Sequence, residues 1–215
     1  MADRKTKQTD HRYLTEERLD KMTYTKENDT ELRRNMRLEY IRKREALSTE
    51  EVEERSLRAV ERITALPAFL KARTILIYNH INKELSLEGL VRHPLSEGKS
   101  FAYPLCENKT ELTAMIPGKW KRGPFGILEP ERQSSRELKP EELDLIICPG
   151  TAFDSDCHRL GMGGGYYDRY LPKCKNAFII MAAFEVQFAD KLPFENHDYP
   201  MDIVVTEDRI YENRS

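Results

Sequence analysis

A glycine-rich stretch in the second half of the chain carries the residue types best suited to chemistry. It reads RLGMGGGYYD over residues 159–168 and follows an apolar, strand-like run that ends at Cys148. Four glycines in five positions leave backbone N–H groups uncovered and allow positive φ, so successive N–H groups can surround an anion. If Tyr166 begins a helix, the helix N-terminus adds a favourable dipole, and Arg159 adds a formal positive charge. The stretch therefore predicts a phosphate-binding loop.

Known phosphate-loop signatures do not match this stretch. No Gly-Lys-Ser/Thr stands at Walker A spacing, and Tyr166 occupies the last glycine position of the dinucleotide pattern. Asp168 follows the glycines closely and could hold a magnesium ion that bridges phosphate oxygens. Asp198 and Asp202 precede the last predicted strand and are further metal candidates, although an Asp in this position is also a common turn residue. A glycine-rich turn without a ligand is the alternative interpretation.

Three arginines near the start of the first predicted helix form a second candidate site for phosphate. Arg33 and Arg37 are four positions apart and therefore neighbours on one helix face, and Arg34 lies beside them. Together they could bind a polyphosphate. The alternative is a solvated helix face whose arginines pair with Glu39 and Glu45.

Two helices and a set of strands must position these groups. The first helix follows the capping residues Asn28-Asp29-Thr30 and runs to about residue 46, and the second begins with a capping box formed by Ser48 and Glu51. The second helix ends near Leu66-Pro67. The apolar stripe predicted for the first helix leaves its arginines on the other faces; its members are Leu32, Met36, Tyr40 and Ile41.

Short apolar runs rich in β-forming residues predict the strands at 74–78, 101–105, 112–116, 143–148, 177–184 and 203–205, with a further helix at 85–95. Strands that alternate with helices predict an α/β fold with a mostly parallel central sheet covered on both faces. Ligands of such sheets bind beyond the carboxyl ends of the strands. The glycine-rich stretch should lie at that edge.

Composition limits the class of protein. The 215 residues suit one domain, 29–215, and a charge-dense extension at 1–28 that we expect to be flexible or loosely docked, with a possible short helix at 15–22. The 35 Lys and Arg against 37 Asp and Glu give a net charge of −2, which disfavours general nucleic-acid binding. No apolar run approaches the ~18 residues of a membrane span, and no secretory signal is present.

The four cysteines form no C-x-x-C pair, which argues against a zinc or thioredoxin-like site and for reduced thiols in the cytoplasm. The oligomeric state is left open, with a monomer slightly favoured. No transmembrane segment, and no binding to nucleic acid or membranes, is expected.

Four motifs in order resemble those of the 5-formyltetrahydrofolate cyclo-ligases, also called 5,10-methenyltetrahydrofolate synthetases. They are the basic helix that leads into REALS at 44–48, GPFGILEP at 123–130, PGTAFDSDCHRLGMGGGYYDRYL at 149–171, and the ending at 192–207. The resemblance covers residues 31–207. It implies a three-layer α/β sandwich related to the phosphosugar-isomerase and CoA-transferase-like folds.

The resemblance also implies a reaction. ATP phosphorylates the formyl oxygen of 5-formyltetrahydrofolate, nitrogen 10 attacks the activated carbon, and 5,10-methenyltetrahydrofolate, ADP and phosphate are released. Such chemistry needs cationic and N–H donors with Mg²⁺ rather than a side-chain nucleophile.

Individual roles follow from the same resemblance. Asp168 and Asp198 match the magnesium-linked acids of the family. The residues matched to ATP binding are Arg33, Arg34, Arg37, Arg159, Leu160, Gly161, Met162, Gly163, Gly164, Gly165, Tyr166 and Tyr167. Those matched to the folate are Ile81, Ser86, Met162, Gly163, Gly164, Gly165 and Tyr166.

The chain departs from the family pattern at two positions. Ser86 stands where the family usually has an acid, two residues after Glu84, and Arg33 replaces a more usual lysine. A folate- or nucleotide-binding paralogue without turnover is therefore one alternative function. An RNA-associated module that uses the basic helix is another, and it predicts binding that weakens steeply with salt.

Overall fold

A central sheet organises the computed structural model, which describes residues 31–106, 108, 110–123 and 126–213. The predicted extension at 1–28 with its possible helix, the capping residues at 28–30, and Pro124 and Phe125 of the middle motif lie outside the described residues. The strands are β1 (Thr74–Leu76), β2 (Ser100–Leu105), β3 (Thr113–Ile116), β4 (Trp120–Arg122), β5 (Leu128–Pro130), β6 (Arg136–Leu138), β7 (Leu145–Cys148), β8 (Ala152–Phe153), β9 (Arg159–Leu160), β10 (Phe178–Ala182), β11 (Ile203–Val205) and β12 (Ile210–Glu212).

Within these described residues the central sheet has eight strands in the order β12-β11-β10-β7-β1-β2-β3-β6. The five inner strands from β11 to β2 run parallel, and β12, β3 and β6 pair antiparallel at the two edges. The predicted α/β class with a mostly parallel sheet is confirmed. Because the inner strands are parallel, the segments that follow β1, β2, β7, β10 and β11 all begin at the same edge of the sheet.

Helices surround the sheet and are α1 (Glu31–Glu45), α2 (Thr49–Thr64), α3 (Pro67–Lys71), α4 (Glu88–Arg92) and α5 (Tyr166–Tyr170). Short 3₁₀ turns follow at Pro94–Ser96, Arg132–Ser134, Pro140–Glu142, Leu171–Lys173 and Glu185–Gln187. The predicted capping box of α2 is present: the Ser48 hydroxyl accepts the Glu51 N–H, and the Glu51 carboxylate accepts the Ser48 N–H.

Both faces of the sheet are covered by apolar side chains. On one face α2, α3 and α4 bring Val60, Ile63 and Phe69 against strand residues such as Ile75 and Ile147. On the other face α5 and the turn after it place apolar groups against alternate residues of the same strands; the group includes Tyr170, Leu171, Cys174, Leu76, Ile146, Met181 and Val204. Strands buried on both sides explain the near-continuous apolar runs in the sequence.

The inward face of α1 differs from the prediction. Leu32, assigned to the apolar stripe, is 59% exposed, whereas Arg33, Arg37 and Arg44 are buried. These arginines share one face with Tyr40, as the helical repeat requires for positions spaced by three, four and seven residues. Apolar periodicity failed here because the partners of the arginines lie far away along the chain.

The sequence also overestimated one helix and missed several strands. The helix predicted at 85–95 is restricted to α4 and a 3₁₀ turn, because Leu85 and Leu87 enter the core from an irregular loop and Pro94 interrupts the helix. The strands missed, β4, β5, β6, β8, β9 and β12, span two or three residues each. Such segments are too short to show a period of two.

Candidate active site

The glycine loop, residues 161–165, lies beyond the carboxyl end of β7. The chain leaves β7 through Pro149-Gly150, forms the β8–β9 hairpin and then enters the loop. Gly163 and Gly165 have φ values of 96° and 63°, which favour glycine. Gly165 is the N-cap of α5, so the predicted helix start at Tyr166 is confirmed. The backbone conformation therefore has the form that the sequence predicted for an anion-binding turn.

Two guanidinium groups lie against the glycine loop. The Nε atom of Arg37 in α1 donates to the Gly161 carbonyl at 2.7 Å. A Cβ atom built on Gly163 would lie 3.6 Å from the Arg37 guanidinium carbon, and one built on Gly161 would lie 3.2 Å from Nη1 of Arg159. The loop thus lies in contact with two cations that belong to different parts of the chain, which creates a positive environment for phosphate.

Arg159 is buried and joined to the acid that follows the loop. Its Nη2 donates to Oδ1 of Asp168 at 2.6 Å, and its Nη1 donates to the Pro149 carbonyl at 3.3 Å. Burial acts to lower the pKa of Arg159, but the charge and the hydrogen bond of Asp168, together with smaller contributions from neighbouring groups, outweigh burial and the net pKa is raised. The guanidinium carbon lies 5.4 Å from the ring centre of Tyr167, a cation–π contact. Arg159 and Asp168, the first and last residues of the 159–168 motif, are thus joined by an ion pair.

Arg33 forms a second ion pair at the start of α1. Its Nη1 and Nη2 donate to the two carboxylate oxygens of Asp198 at 2.6 and 3.0 Å, and Nη1 also donates to the Pro193 carbonyl. Burial acts to raise the pKa of Asp198, but the hydrogen bonds from Arg33 and from the Glu195 N–H, together with nearby positive charge, outweigh burial and lower it. This bidentate pair attaches α1 to the segment that precedes β11.

The three predicted arginines therefore have different positions. Arg33 and Arg37 are buried and face the protein, whereas Arg34 is exposed. Burial lowers the pKa of Arg37, although the charges of Asp198 and Asp168 act in the opposite direction. The solvated-face interpretation is wrong for Arg33 and Arg37. The role of Arg34 toward ATP stays a prediction.

Tyr166 and α5 connect the glycine loop to the segment between β2 and β3. The Tyr166 hydroxyl donates to the Asn108 carbonyl at 2.9 Å, and Arg169 donates to the carbonyls of Thr110 and Gly164 at 2.8 Å each. Met162 contacts the Thr151 hydroxyl through its sulfur atom. Together with Leu160, the buried last residue of β9, these contacts fix the loop relative to the hairpin and the β2–β3 connection.

A second loop, the β1–α4 loop of residues 77–87, borders the same edge. Ile81 lies here, where its N–H donates to Oε2 of Glu84 at 3.1 Å and its carbonyl accepts the Glu84 N–H at 3.0 Å. The Ser86 N–H donates to the Ser56 hydroxyl of α2, and the Ser86 hydroxyl accepts the Glu88 N–H at 3.4 Å. The hydroxyl of Ser86 thus contacts the start of α4, and its role toward the folate stays a prediction.

Glu84 is the acid that the sequence analysis used only as a landmark. It is buried, 5% exposed, and Oε1 lies 3.5 Å from Nη1 of Arg44, which is 1% exposed. Burial raises the pKa of Glu84, against the opposing charge of Arg44. The available sequence signal for a buried Glu84 was only that an apolar residue, Leu85, follows it in the loop. Nothing local in the sequence reveals that the side chain of Arg44 reaches Glu84.

The carboxylates predicted to hold magnesium are both paired with arginines. Carboxylate oxygens are the ligands that Mg²⁺ takes in proteins, usually one or two together with substrate phosphates. Asp168 fits this role because its partly buried carboxylate lies three positions after the glycine loop and bonds Arg159, which contacts the loop, through Oδ1. Both oxygens of Asp198 bind Arg33, and Oδ2 also accepts the Glu195 N–H. Metal binding by Asp168 and Asp198 stays a prediction.

One other group of possible metal ligands is present in the described ranges, formed by Asp154, Asp156 and His158. The Asp154 carboxylate accepts the N–H groups of Asp156, His158 and Leu192. It therefore closes the turn of the β8–β9 hairpin. It also attaches the hairpin to Leu192, which packs in the same cluster as Tyr40 of α1. Asp202, the third acid named from the sequence, accepts the Ile179 N–H and holds β10.

Two further features concern the class of protein. In the part of the chain that the structure describes, no helix is long and apolar enough to cross a membrane. All four cysteines lie within that part and are free thiols. Burial raises the pKa of Cys106, Cys157 and Cys174 to about 11 and that of Cys148 to about 12, so none is an activated nucleophile.

Comparisons with known proteins identify the family of the chain. The model of the 5-formyltetrahydrofolate cyclo-ligase family matches residues 25–207. The mouse 5-formyltetrahydrofolate cyclo-ligase is 29% identical over 194 residues, covering 82% of this chain and 94% of its own. The enzyme of the same name from Escherichia coli K12 is 29% identical over 177 residues, covering 79% of this chain and 97% of its own.

Solved structures give the same result. The solution structure of the Aquifex aeolicus 5,10-methenyltetrahydrofolate synthetase is similar with a TM-score of 0.76 and 33% identity, and the match covers 86% of this chain and 94% of that one. A Mycoplasma pneumoniae protein of the same name shares the fold with a TM-score of 0.68, and the match covers 81% of this chain and 98% of that one. At 24% identity, that second likeness bears on the fold alone.

Proposed function

The chain belongs to the 5-formyltetrahydrofolate cyclo-ligase family, and on this premise we propose how its active site works. It is a ligase that uses ATP to cyclise 5-formyltetrahydrofolate to 5,10-methenyltetrahydrofolate. The observation that carries the assignment of the site is the glycine loop at the sheet edge, held between the guanidinium groups of Arg37 and Arg159. The resemblance read from four sequence motifs is confirmed at the level of the family.

Phosphoryl transfer from ATP is the first step. The formyl oxygen attacks the γ-phosphorus, the bond to the β-phosphate bridging oxygen breaks, and ADP leaves. Charge that builds up on the transferring oxygens needs fixed donors more than it needs a nucleophilic side chain. The loop N–H groups of residues 161–165, the start of α5 and the guanidinium groups of Arg37 and Arg159 are such donors, and they are already in position.

Ring closure is the second step. Nitrogen 10 of the folate attacks the carbon that now carries the phosphate and loses its proton, the carbon–oxygen bond breaks, and inorganic phosphate leaves, taking up that proton. We place the pterin against the β1–α4 loop, because Ile81 and Glu84 there share an edge with the glycine loop. Glu84 is a buried acceptor whose two oxygens match the adjacent ring N–H and 2-amino donors of a pterin. Glu84 then takes the role of the acid that the family pattern led us to expect at Ser86.

Magnesium belongs to the proposal through Asp168. The carboxylate lies beside the glycine loop and bonds Arg159 through one oxygen, so it could take a cation that is shared with the phosphates of ATP. When bound, the ion supplies neutralisation of phosphate charge. Arg33 and Asp198, which are paired with each other, form one wall of the proposed nucleotide site. A cytoplasmic location is consistent with four free and mostly buried thiols.

An absorbance assay tests the proposal. Purified protein is mixed with 5-formyltetrahydrofolate and Mg-ATP, and the near-ultraviolet band of 5,10-methenyltetrahydrofolate is followed, with an ATP-free control. We expect the band to grow only with ATP, and ADP to form in equal amount. A flat trace from folded protein that still binds 5-formyltetrahydrofolate in calorimetry would replace the proposal with binding without turnover.

A further inference from the structure

Arg44, near the end of α1, is buried with an incomplete set of partners. Its side chain is 1% exposed, and its contact with Glu84 is long, at 3.5 Å between Nη1 and Oε1. Its Nε and Nη2 atoms have no hydrogen-bond partner among the described residues. A buried guanidinium normally satisfies most of its donors, so a role beyond packing has to explain this one.

The shape of the β1–α4 loop does not depend on Arg44. The Lys83 ammonium donates to the Glu45 carbonyl at 2.7 Å and to the Leu47 carbonyl, which joins the loop to the end of α1. The Tyr78 hydroxyl donates to the Leu85 carbonyl at 2.8 Å, and Glu84 is held by its two hydrogen bonds with Ile81. Because these contacts fix the loop, the contribution that only Arg44 can make to Glu84 is electrostatic.

We propose that Arg44 is a positioning residue for the folate, whose charge keeps the Glu84 carboxylate ionised and oriented as the acceptor of the pterin N–H donors. This inference rests on the proposed function, since it takes Glu84 as the acid that faces the pterin. Arg44 itself touches neither ATP nor folate. It acts on folate affinity through the protonation state of its neighbour.

The electrostatic surroundings of Glu84 support this role. Burial raises the pKa of Glu84, and the charges of Arg44 in α1 and His80 in the loop oppose the rise. Tyr78, at the end of β1, is buried with a pKa raised well above its usual value, so it stays neutral and offers no countercharge. Without Arg44, burial acts on the Glu84 carboxylate with less opposition and favours its protonated form, which loses one of its two acceptor positions.

The experiment compares Arg44→Met with Lys43→Met, its matched control. Met keeps most of the buried volume of Arg44 without the charge, and Lys43 is the adjacent cation on the exposed face, paired with Glu39. The KM for 5-formyltetrahydrofolate and the kcat are measured from about pH 6 to about pH 9, with the dissociation constant from calorimetry without ATP. His80→Asn in both backgrounds removes the imidazole, so that a change in its charge cannot account for the pH dependence.

We expect Arg44→Met to raise the folate KM and dissociation constant about tenfold at neutral pH, the effect of one unit of pKa displacement. The values should return toward those of the parent protein as the pH rises and Glu84 ionises, while kcat at saturation and the KM for ATP stay unchanged. Arg44→Lys should restore the parent pH profile. Arg44→Met with Glu84→Gln should bind folate with a KM that does not depend on pH.

Two results would overturn the inference. One is a folate KM in Arg44→Met that equals the parent value at every pH. The other is a rise that is the same at every pH and is accompanied by an equal loss of thermal stability, which a packing role produces. A parent protein that binds folate but does not cyclise it contradicts the proposed reaction and leaves the Arg44 test intact, because calorimetry reads the binding alone.

Discussion

The two ends of α1 hold buried charge in different ways. At the amino end Arg33 binds both oxygens of Asp198 at 2.6 and 3.0 Å and also donates to a backbone carbonyl. At the carboxyl end Arg44 meets Glu84 at a single distance of 3.5 Å, and two of its nitrogens have no partner among the described residues. Burial is similar, since each of the four side chains is less than a tenth exposed.

The difference indicates a division of roles along one helix. A saturated, bidentate pair contributes geometry, because its lone pairs and donors are already used. In the Arg44–Glu84 pair the unpartnered atoms are donor nitrogens of Arg44, and the single long contact leaves lone pairs on the Glu84 carboxylate for a ligand, at some expense in stability. We therefore expect changes at the amino end to affect folding first and changes at the carboxyl end to affect folate binding first.

The largest effect should come from breaking the saturated pair. Arg33→Met leaves the Asp198 carboxylate buried without its countercharge, which we expect to lower the free energy of unfolding by about 3 kcal/mol. Urea unfolding of the ligand-free protein measures this, with the exposed neighbour substitution Arg34→Met as control. Equal stabilities for the two variants would remove the division of roles.

The Arg33–Asp198 pair should also affect how the free energy of unfolding depends on pH in the acid range. Asp198 has a lowered pKa in the folded protein, so its contribution to stability is present above its unfolded pKa of about 4 and is lost as the pH falls through the folded pKa. The free energy of unfolding, followed from about pH 6 to about pH 3, should therefore fall less steeply in Arg33→Met than in the parent protein. A parallel decline in both proteins would show that Arg33 does not set this titration.

Asp168 provides the next effect, on the chemistry and, through its ion pair with the buried Arg159, also on the fold. Asp168→Asn keeps the shape but removes the charge beside the glycine loop, and we expect kcat to fall at least about a hundredfold. Steady-state assays over a range of magnesium concentrations measure this. Asp202→Asn, at an acid that binds the backbone of β10, is the control and should change stability more than kcat. Full turnover by Asp168→Asn would remove our metal assignment.

A smaller effect is expected at Arg37, midway along the same helix face. Arg37→Met should raise the KM for ATP about tenfold, the cost of one charge-assisted contact to phosphate. The folate KM should stay close to the parent value, which separates this position from Arg44. If Arg37→Met alters only thermal stability, the buried arginine serves packing and the glycine loop binds phosphate without it.

The smallest effect should be at Ser48, the N-cap residue between α1 and α2. Ser48→Ala removes the reciprocal hydrogen bonds with Glu51 at the start of α2, and we expect a loss of about 1 kcal/mol with unchanged KM values. Thermal unfolding and steady-state kinetics of the same preparation measure this. A folate KM that follows this loss of stability would mean that the end of α1 responds to any disturbance nearby, and the specific role of Arg44 would be in doubt.

Local features of the site were predictable from the sequence because neighbouring residues create them. The glycine loop, the helix that begins at Tyr166 and the capping box of Ser48 and Glu51 each involve fewer than ten consecutive residues. Strand β11 was predicted with its observed bounds, because three β-branched residues are buried on both faces. The parallel order of the sheet follows from the alternation of strands and helices.

The inward face of α1 was not predictable in the same way. Arg33 is buried because Asp198 lies opposite it, and the two are 165 positions apart in the chain. A single sequence contains no signal for such a pair, and the apolar stripe favoured Leu32 instead. Glu84 was overlooked for the same reason, since its burial depends on Arg44, 40 positions earlier.

The pairing of Arg33 with Asp198 also has a consequence for folding of the chain during its synthesis on the ribosome. At about 5–20 residues per second, Asp198 emerges on the order of ten to thirty seconds after Arg33. During that interval the nascent helix exposes a face of arginines and apolar residues whose partners have not been made. Native contacts of such high sequence separation close late. Co-translational folding can therefore complete the central strands first, and the proposed nucleotide site should form only after the segment around Asp198 has been synthesised.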